Sequence, residues 1–146
     1  MPLQAPAPPI QRTADRLGLG TAQFGRDPAV RSGRGRLSEA EAFATVAMAA
    51  GAGVGLLDTG PEFGEAEAVV GRVRPPAHPF RLITRTRRGA TDPDLVEAQA
   101  RASLQKLGVE RAAALLVGDA VLFEDGLGLV FVDVHRCRGG WRAPGS

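Results

Sequence analysis

Asp58 closes a short apolar run, Leu56-Leu57, and opens the stretch Thr59-Gly60-Pro61-Glu62-Phe63-Gly64-Glu65-Ala66-Glu67. Where a strand ends in a Gly-Pro turn, an ionisable side chain stands on the face on which parallel α/β proteins assemble their active sites, because the loops leaving the strands converge there. Asp58 also admits a plainer role, capping the loop at 59 to 62. The remaining chemistry-bearing residues favour plain readings. Arg85-Thr86-Arg87-Arg88 resembles a phosphate or nucleic-acid patch in composition, but reads better as a solvated loop. Gly51-x-Gly53-x-Gly55 has the glycine spacing of a dinucleotide fingerprint, yet it follows a helical pattern and precedes a strand. That is the reverse of the order that brings phosphate to a helix N-terminus. His78 lies in a proline-rich loop and His135 in the tail, so no metal-ligand set is expected. Cys137 stands between two arginines, an environment that favours the thiolate, but a tail offers it no pocket.

The chain of 146 residues suits one domain with a proper core. Its 44% apolar and 23% charged content is that of a soluble globular protein. The net charge of +2, carried by arginines and the sole lysine Lys106, is too small and too scattered for a nucleic-acid footprint. A single cysteine excludes an internal disulfide and fits a reducing compartment. Residues 1–11 are rich in Pro and Ala and lack the positive start of a signal peptide. Residues 46–57 are too short and too glycine-rich to cross a bilayer. The expectation is a cytoplasmic protein with neither nucleic acid nor membrane as partner.

The elements that must position Asp58 follow from periodicity. Residues 16–21 read as a first strand ending in a glycine-permitted turn, and 24–37 as a loop. Ser38 and Glu41 form a capping box, opening a helix whose apolar stripe is Phe43, Val46, Ala47 and Ala50. Gly51 and Gly53 supply a left-handed end. Residues 54–58 make the second strand. Residues 65–74 make a helix with Val69, Val70 and Val73 inward, stopped by Pro75 and Pro76. Residues 80–84 are the third strand. Asp92 and Pro93 start a third helix, buried along Val96, Ala100, Ser103, Leu104 and Leu107 and ended by Gly108. Residues 112–117 are the fourth strand. This alternation predicts a parallel α/β sheet of about four βα units. Beyond Val117 the rhythm breaks: Asp125-Gly126 and the β-branched run 129–134 suggest a hairpin, able to cover the sheet edge beside the fourth strand, and 135–146 a loose tail.

Three stretches resemble the aldo-keto reductases. Leu-Gly-Leu-Gly-Thr-Ala-Gln-Phe-Gly at 17–25 resembles the family's first barrel strand. Asp58-Thr59 followed by Gly64 and Glu67 resembles its second strand and loop. Ala102-Ser103-Leu104 through Leu107-Gly108-Val109 resembles its third helix, leading into Leu115-Leu116-Val117. The resemblance runs from about residue 16 to about 122. It implies a partial (β/α)8 TIM barrel over 16–123, preceded by a flexible segment 1–15 and followed by an irregular, divergent tail 124–146. A complete barrel of this architecture has roughly 250 residues, so the chain is expected to hold about its first half. The tail's composition is what a shifted reading frame would leave.

The resemblance further implies NADP(H)-dependent reduction of aldehydes or ketones. In that chemistry a tyrosine protonates the carbonyl oxygen, a lysine paired with an aspartate lowers the tyrosine's pKa, and a histidine orients the carbonyl. Carried over position by position, the aspartate is Asp58, the tyrosine position holds Phe63, the lysine position Arg85 and the histidine position Gly118. Only Asp58 matches, although Arg85 retains a charge that can pair with it in bidentate fashion. Glu62 and Asp119 are neighbouring carboxyls that could replace the acid only if burial kept them protonated. Gly20, Thr21 and Asp58 are the implied cofactor contacts; the family's main grip on the nucleotide comes from late barrel strands that this sequence does not supply. Three readings stay open: a truncated, catalytically inactive pseudoenzyme; an oxidoreductase active after self-association into a full barrel; or a binding or scaffolding module that uses the old cleft. Four parallel strands leave two edges and an open apolar face, through which self-association is expected.

Overall fold

The computed structural model describes residues 17–26, 35–77, 79–90 and 92–117, together with the backbone of 134–135. Four strands, β1 (Gly18–Gly20), β2 (Leu56–Asp58), β3 (Arg81–Arg85) and β5 (Ala114–Leu116), form one sheet in the order β1-β2-β3-β5. Every pairing in it is parallel. Leu19, Leu57 and Leu82 stand abreast in register, and all three pack into the core beneath the helices. Because side chains alternate along a strand, the flanking rows Gly18–Leu56–Arg81 and Gly20–Asp58–Ile83–Ala114 belong to the other face. That face carries Asp58.

Between the strands lie α1 (Ala22–Gly25), α2 (Glu39–Gly51), α3 (Ala66–Val73) and α4 (Pro93–Leu107). The capping box of α2 forms as expected. The Ser38 hydroxyl accepts from the Glu41 amide at 3.3 Å, and the Glu41 carboxylate accepts from the Ser38 amide at 2.8 Å. At its far end Gly53 adopts φ +82, with Gly53 N–H donating to Ala50 O and Val54 N–H to Ala49 O. These two bonds are those of a Schellman motif. Gly53 is thus the left-handed residue, whereas Gly51 belongs to the helix itself. The same carbonyl-rich end removes the Gly51-x-Gly53-x-Gly55 trio from any role in phosphate binding. Asp92 caps α4 through Asp94 N–H and Leu95 N–H, and Gly108 ends it at φ +65.

Four expectations are corrected. Phe43 is 56% exposed and Ala47 is exposed, and the buried stripe of α2 is Ala42 and Val46. Helical spacing admits either side of Val46, and the tertiary contacts choose Ala42. Residues 24 and 25, read as the start of a loop, instead complete the helical turn α1, closed by Arg26 N–H donating to Ala22 O. The fourth strand is interrupted at Ala113, whose N–H donates to Leu82 O at 2.8 Å. Its first part, β4 (Arg111–Ala112), pairs instead antiparallel with β6 (Val134–His135). His135 therefore lies in a strand, not in a loose tail. The flexible segment 1–15, the Asp125-Gly126 turn, and the tail beyond His135 lie outside the described residues.

No described helix is long and apolar enough to cross a membrane.

Candidate functional site

Asp58 at the end of β2 and Arg85 at the end of β3 emerge on the same face of the sheet, one strand apart. Arg85 Nη2 donates to Asp58 Oδ1 at 2.6 Å and to Oδ2 at 2.8 Å. The expected pairing is present, but a single nitrogen bridges both oxygens instead of two nitrogens making a parallel fork. The reason lies in the stem. Its Cγ and Cδ lie over Gly60, where an added Cβ would stand 2.5 Å from Cγ, and Nε is buried without a partner among the described residues. The guanidinium consequently meets the carboxylate with one corner. Among the described residues the Asp58 carboxylate accepts from Arg85 alone, so it does not cap the loop at 59 to 62.

Phe63 ends the 3-10 turn Pro61–Phe63. Its half-buried ring packs against the core and lies under the guanidinium, with Arg85 Cζ 5.3 Å from the ring centroid. This is within the range of a cation–π contact. Asp58, Arg85 and Phe63 thus form one stacked cluster. Gly118 and Asp119 lie outside the described residues.

Thr21 is fully buried, and both its amide and its hydroxyl donate to Asp58 O at 3.0 Å. The loop that holds Asp58 is therefore tied to the end of β1. Gly20 stands beside Asp58 in register, and a Cβ there would meet nothing within 4 Å. Among the described residues the β1 side of Asp58 is consequently open.

Glu62 knits three loops together. Its carbonyl accepts from Arg26 Nη2 at 2.7 Å, and its Oε1 accepts from Arg88 N–H at 3.1 Å. Arg87 N–H donates to Gln99 Oε1 at 2.8 Å, while both the Arg87 and Arg88 side chains are exposed. These two arginines behave as a solvated loop.

Glu67 is the feature sequence reasoning left without a role. It is 0% exposed, and its Oε1 accepts from the Thr84 hydroxyl at 2.7 Å. Its place on the inward stripe of α3, three residues before Val70, is the signal that would have found it. Among the described residues no group of three or more His, Cys, Asp or Glu side chains could hold a metal ion.

The profile of the Aldo/keto reductase family matches residues 16–119. Among curated proteins, none matches. Among solved structures, the chain is similar to a Pseudomonas aeruginosa protein assigned to the aldo-keto reductases, with 25% identity and a TM-score of 0.61 over 75% of this chain and 46% of that one. It is also similar to an aldo-keto reductase of Bombyx mori in complex with NADP, with 25% identity and a TM-score of 0.54 over 69% of this chain and 33% of that one. A Brucella melitensis aldo/keto reductase, 24% identical with a TM-score of 0.51, shares the fold over 70% of this chain and 36% of its own. The chain spans less than half the length of each of these three structures. Its four parallel strands are accordingly an arc of a (β/α)8 barrel.

Proposed function

This chain belongs to the aldo/keto reductase family, and from that premise we propose that it keeps the family's fold while carrying out no effective carbonyl reduction by itself. The observation that carries this reading is the Phe63 ring under Arg85. The ring fills the position of the proton donor, and the cation that would lower a phenol's pKa is present, but there is no hydroxyl to ionise. General acid catalysis is typically worth about 10² to 10⁴ in rate, so this one change removes most of the chemical step. Glu62 is a poor substitute, because its Oε1 is already engaged by the Arg88 amide.

The cofactor reading points the same way. A silkworm relative is seen in complex with NADP, which makes NADP(H) the ligand to test. On this chain the early contacts would be Gly20, Thr21 and Asp58. The Thr21 hydroxyl is already spent on Asp58 O, and Asp58 on Arg85. Few contacts then remain to offset the loss of freedom of a large, charged dinucleotide.

The experiment is titration of the purified chain with NADPH, followed by nucleotide fluorescence, and then by NADPH oxidation with a panel of aldehydes. No binding at millimolar cofactor and no oxidation above the buffer rate are expected. Turnover at an ordinary enzymatic rate overturns the reading. On the same reading, the face bearing Leu56, Ile83 and Leu116 is where a second copy would pack, as the facing arc of a complete barrel does. Sedimentation at micromolar concentration is expected to show self-association. A compact monomer counts against this part, and if the dimer alone oxidises NADPH, the enzyme reading replaces the inactive one.

A further inference from the structure

Glu67 is buried at a cost that nothing in the Asp58 cluster explains. Its Oε1 accepts from Thr84, but Oε2 is buried with no partner among the described residues. Withdrawing a carboxyl group from water is costly, and apolar side chains of similar volume are often as stable in its place. Thr84 and Arg85 are successive residues of β3, so their side chains leave opposite faces of the sheet. The Glu67–Thr84 bond lies on the helix side, and the Asp58–Arg85 pair on the other.

We propose that the Glu67–Thr84 hydrogen bond is a register pin, fixing which face of β3 carries Arg85 and so positioning the guanidinium on Asp58 and Phe63. A one-residue slip of a strand exchanges its two faces. Along β3 the apolar pattern is a weak guard against this, because Leu82 and Ile83 are adjacent and either could serve as the core residue. The polar parity is sharper. Thr84 and Thr86 are both 1% exposed, and Arg85 lies between them, half-buried on the opposite face. Slipped by one, the strand would drive Arg85 toward the valines of α3 and would leave Glu67 with no hydroxyl. The pin acts from the other side as well: Glu67 follows Phe63 by four residues, so the helix that reaches Thr84 also sets the ring under Arg85. Glu67 is a positioning residue, with no part in chemistry.

The test separates positioning from stability by reading Arg85 directly. Restricted rotation about Nε–Cζ gives a held guanidinium separate Nη signals in ¹⁵N NMR, and rotation merges them. Glu67→Gln, which keeps an acceptor for Thr84, is expected to retain the separate Arg85 signals. Thr84→Val and the apolar double variant Glu67→Met/Thr84→Val are expected to merge them, while the urea midpoint of the double variant stays at or above that of the unaltered chain. Unchanged Arg85 signals in the double variant overturn the proposal. Failure of the double variant to fold also overturns it, because the bond would then be a source of core stability and not of register.

Discussion

Gly25 and Gly64 meet backbone to backbone: a Cβ on Gly64 would stand 2.5 Å from Gly25 O, and one on Gly25 would stand 2.1 Å from Phe63 O and 2.1 Å from Ala66 N. No side chain fits between the last residue of α1 and the loop that leads into α3. Gly64 also adopts φ +64, a conformation that disfavours any side chain there. The two glycines thereby seat the Phe63 loop against the end of the first βα unit.

Gly25→Ala is therefore expected to destabilise the chain by about 3 kcal/mol or more, at the upper end of the range for overpacking. Gly51→Ala is the matched control. Gly51 lies within α2 with nothing within 4 Å of an added Cβ, so this change should stabilise by roughly 0.5–1 kcal/mol through helix propensity. Urea denaturation of both variants checks the pair. Similar midpoints for the two would show that the close approach is not maintained in solution.

Arg85→Met keeps a stem over Gly60 but removes the charge. The Asp58 and Arg85 side chains are 35% and 29% exposed, so solvent already screens part of their attraction. A loss of about 1–2 kcal/mol is expected from the ion pair and the cation–π contact together. Raising the salt concentration should narrow the gap between variant and parent. Equal stability at low salt would mean that the cluster contributes nothing to the fold.

Acid should weaken α2 first. Hydrogen bonding from the Ser38 hydroxyl and amide holds the Glu41 carboxyl below its usual 4.5, and hydrogen bonding and attraction from Arg72 do the same for Glu39. A carboxyl whose folded pKa is depressed contributes stability above the unfolded value and loses it as pH falls through the folded one. Stability should therefore be flat above about pH 5 and decline below 4.5. Glu41→Gln should flatten that decline. Separately, Ser38→Ala should cost about 1 kcal/mol at neutral pH, as the loss of an N-cap. An acid limb unchanged in Glu41→Gln would place its origin elsewhere.

Restoring the chemistry alone should not restore activity. The triple variant Phe63→Tyr/Arg85→Lys/Gly118→His replaces the three mismatched positions, and on the proposed reading, in which Gly20, Thr21 and Asp58 are too few contacts to hold the nucleotide, it is expected to show NADPH oxidation no faster than the parent. Oxidation rising tenfold or more with an aldehyde present would show that only the proton source had been lost.

Local rules written into the residues were enough for the ends of elements. Ser38 with Glu41, Asp92 with Pro93, and Gly108 each act within a few positions of themselves, so their hydrogen bonds could be foreseen without knowing what lies across the sheet. The parallel order of the strands was legible for a related reason, since helical and extended periods alternate along the chain. The proximity of Asp58 and Arg85 could be drawn only from family likeness. The face of α2 escaped because Ala42 and Phe43 satisfy the same period on either side of Val46. Only packing against α3 and the sheet decides that alanine goes in and phenylalanine stays out.

By itself the sequence determined the family, the parallel sheet, and the want of a hydroxyl at position 63, all of which depend on residue type and order. The tertiary structure decided how Arg85 reaches Asp58, through one nitrogen above the Phe63 ring, and it placed Glu67 against Thr84 inside the core. Those relationships join residues 17 to 27 positions apart, and no local propensity carries information over such a distance. Burial and strand register do.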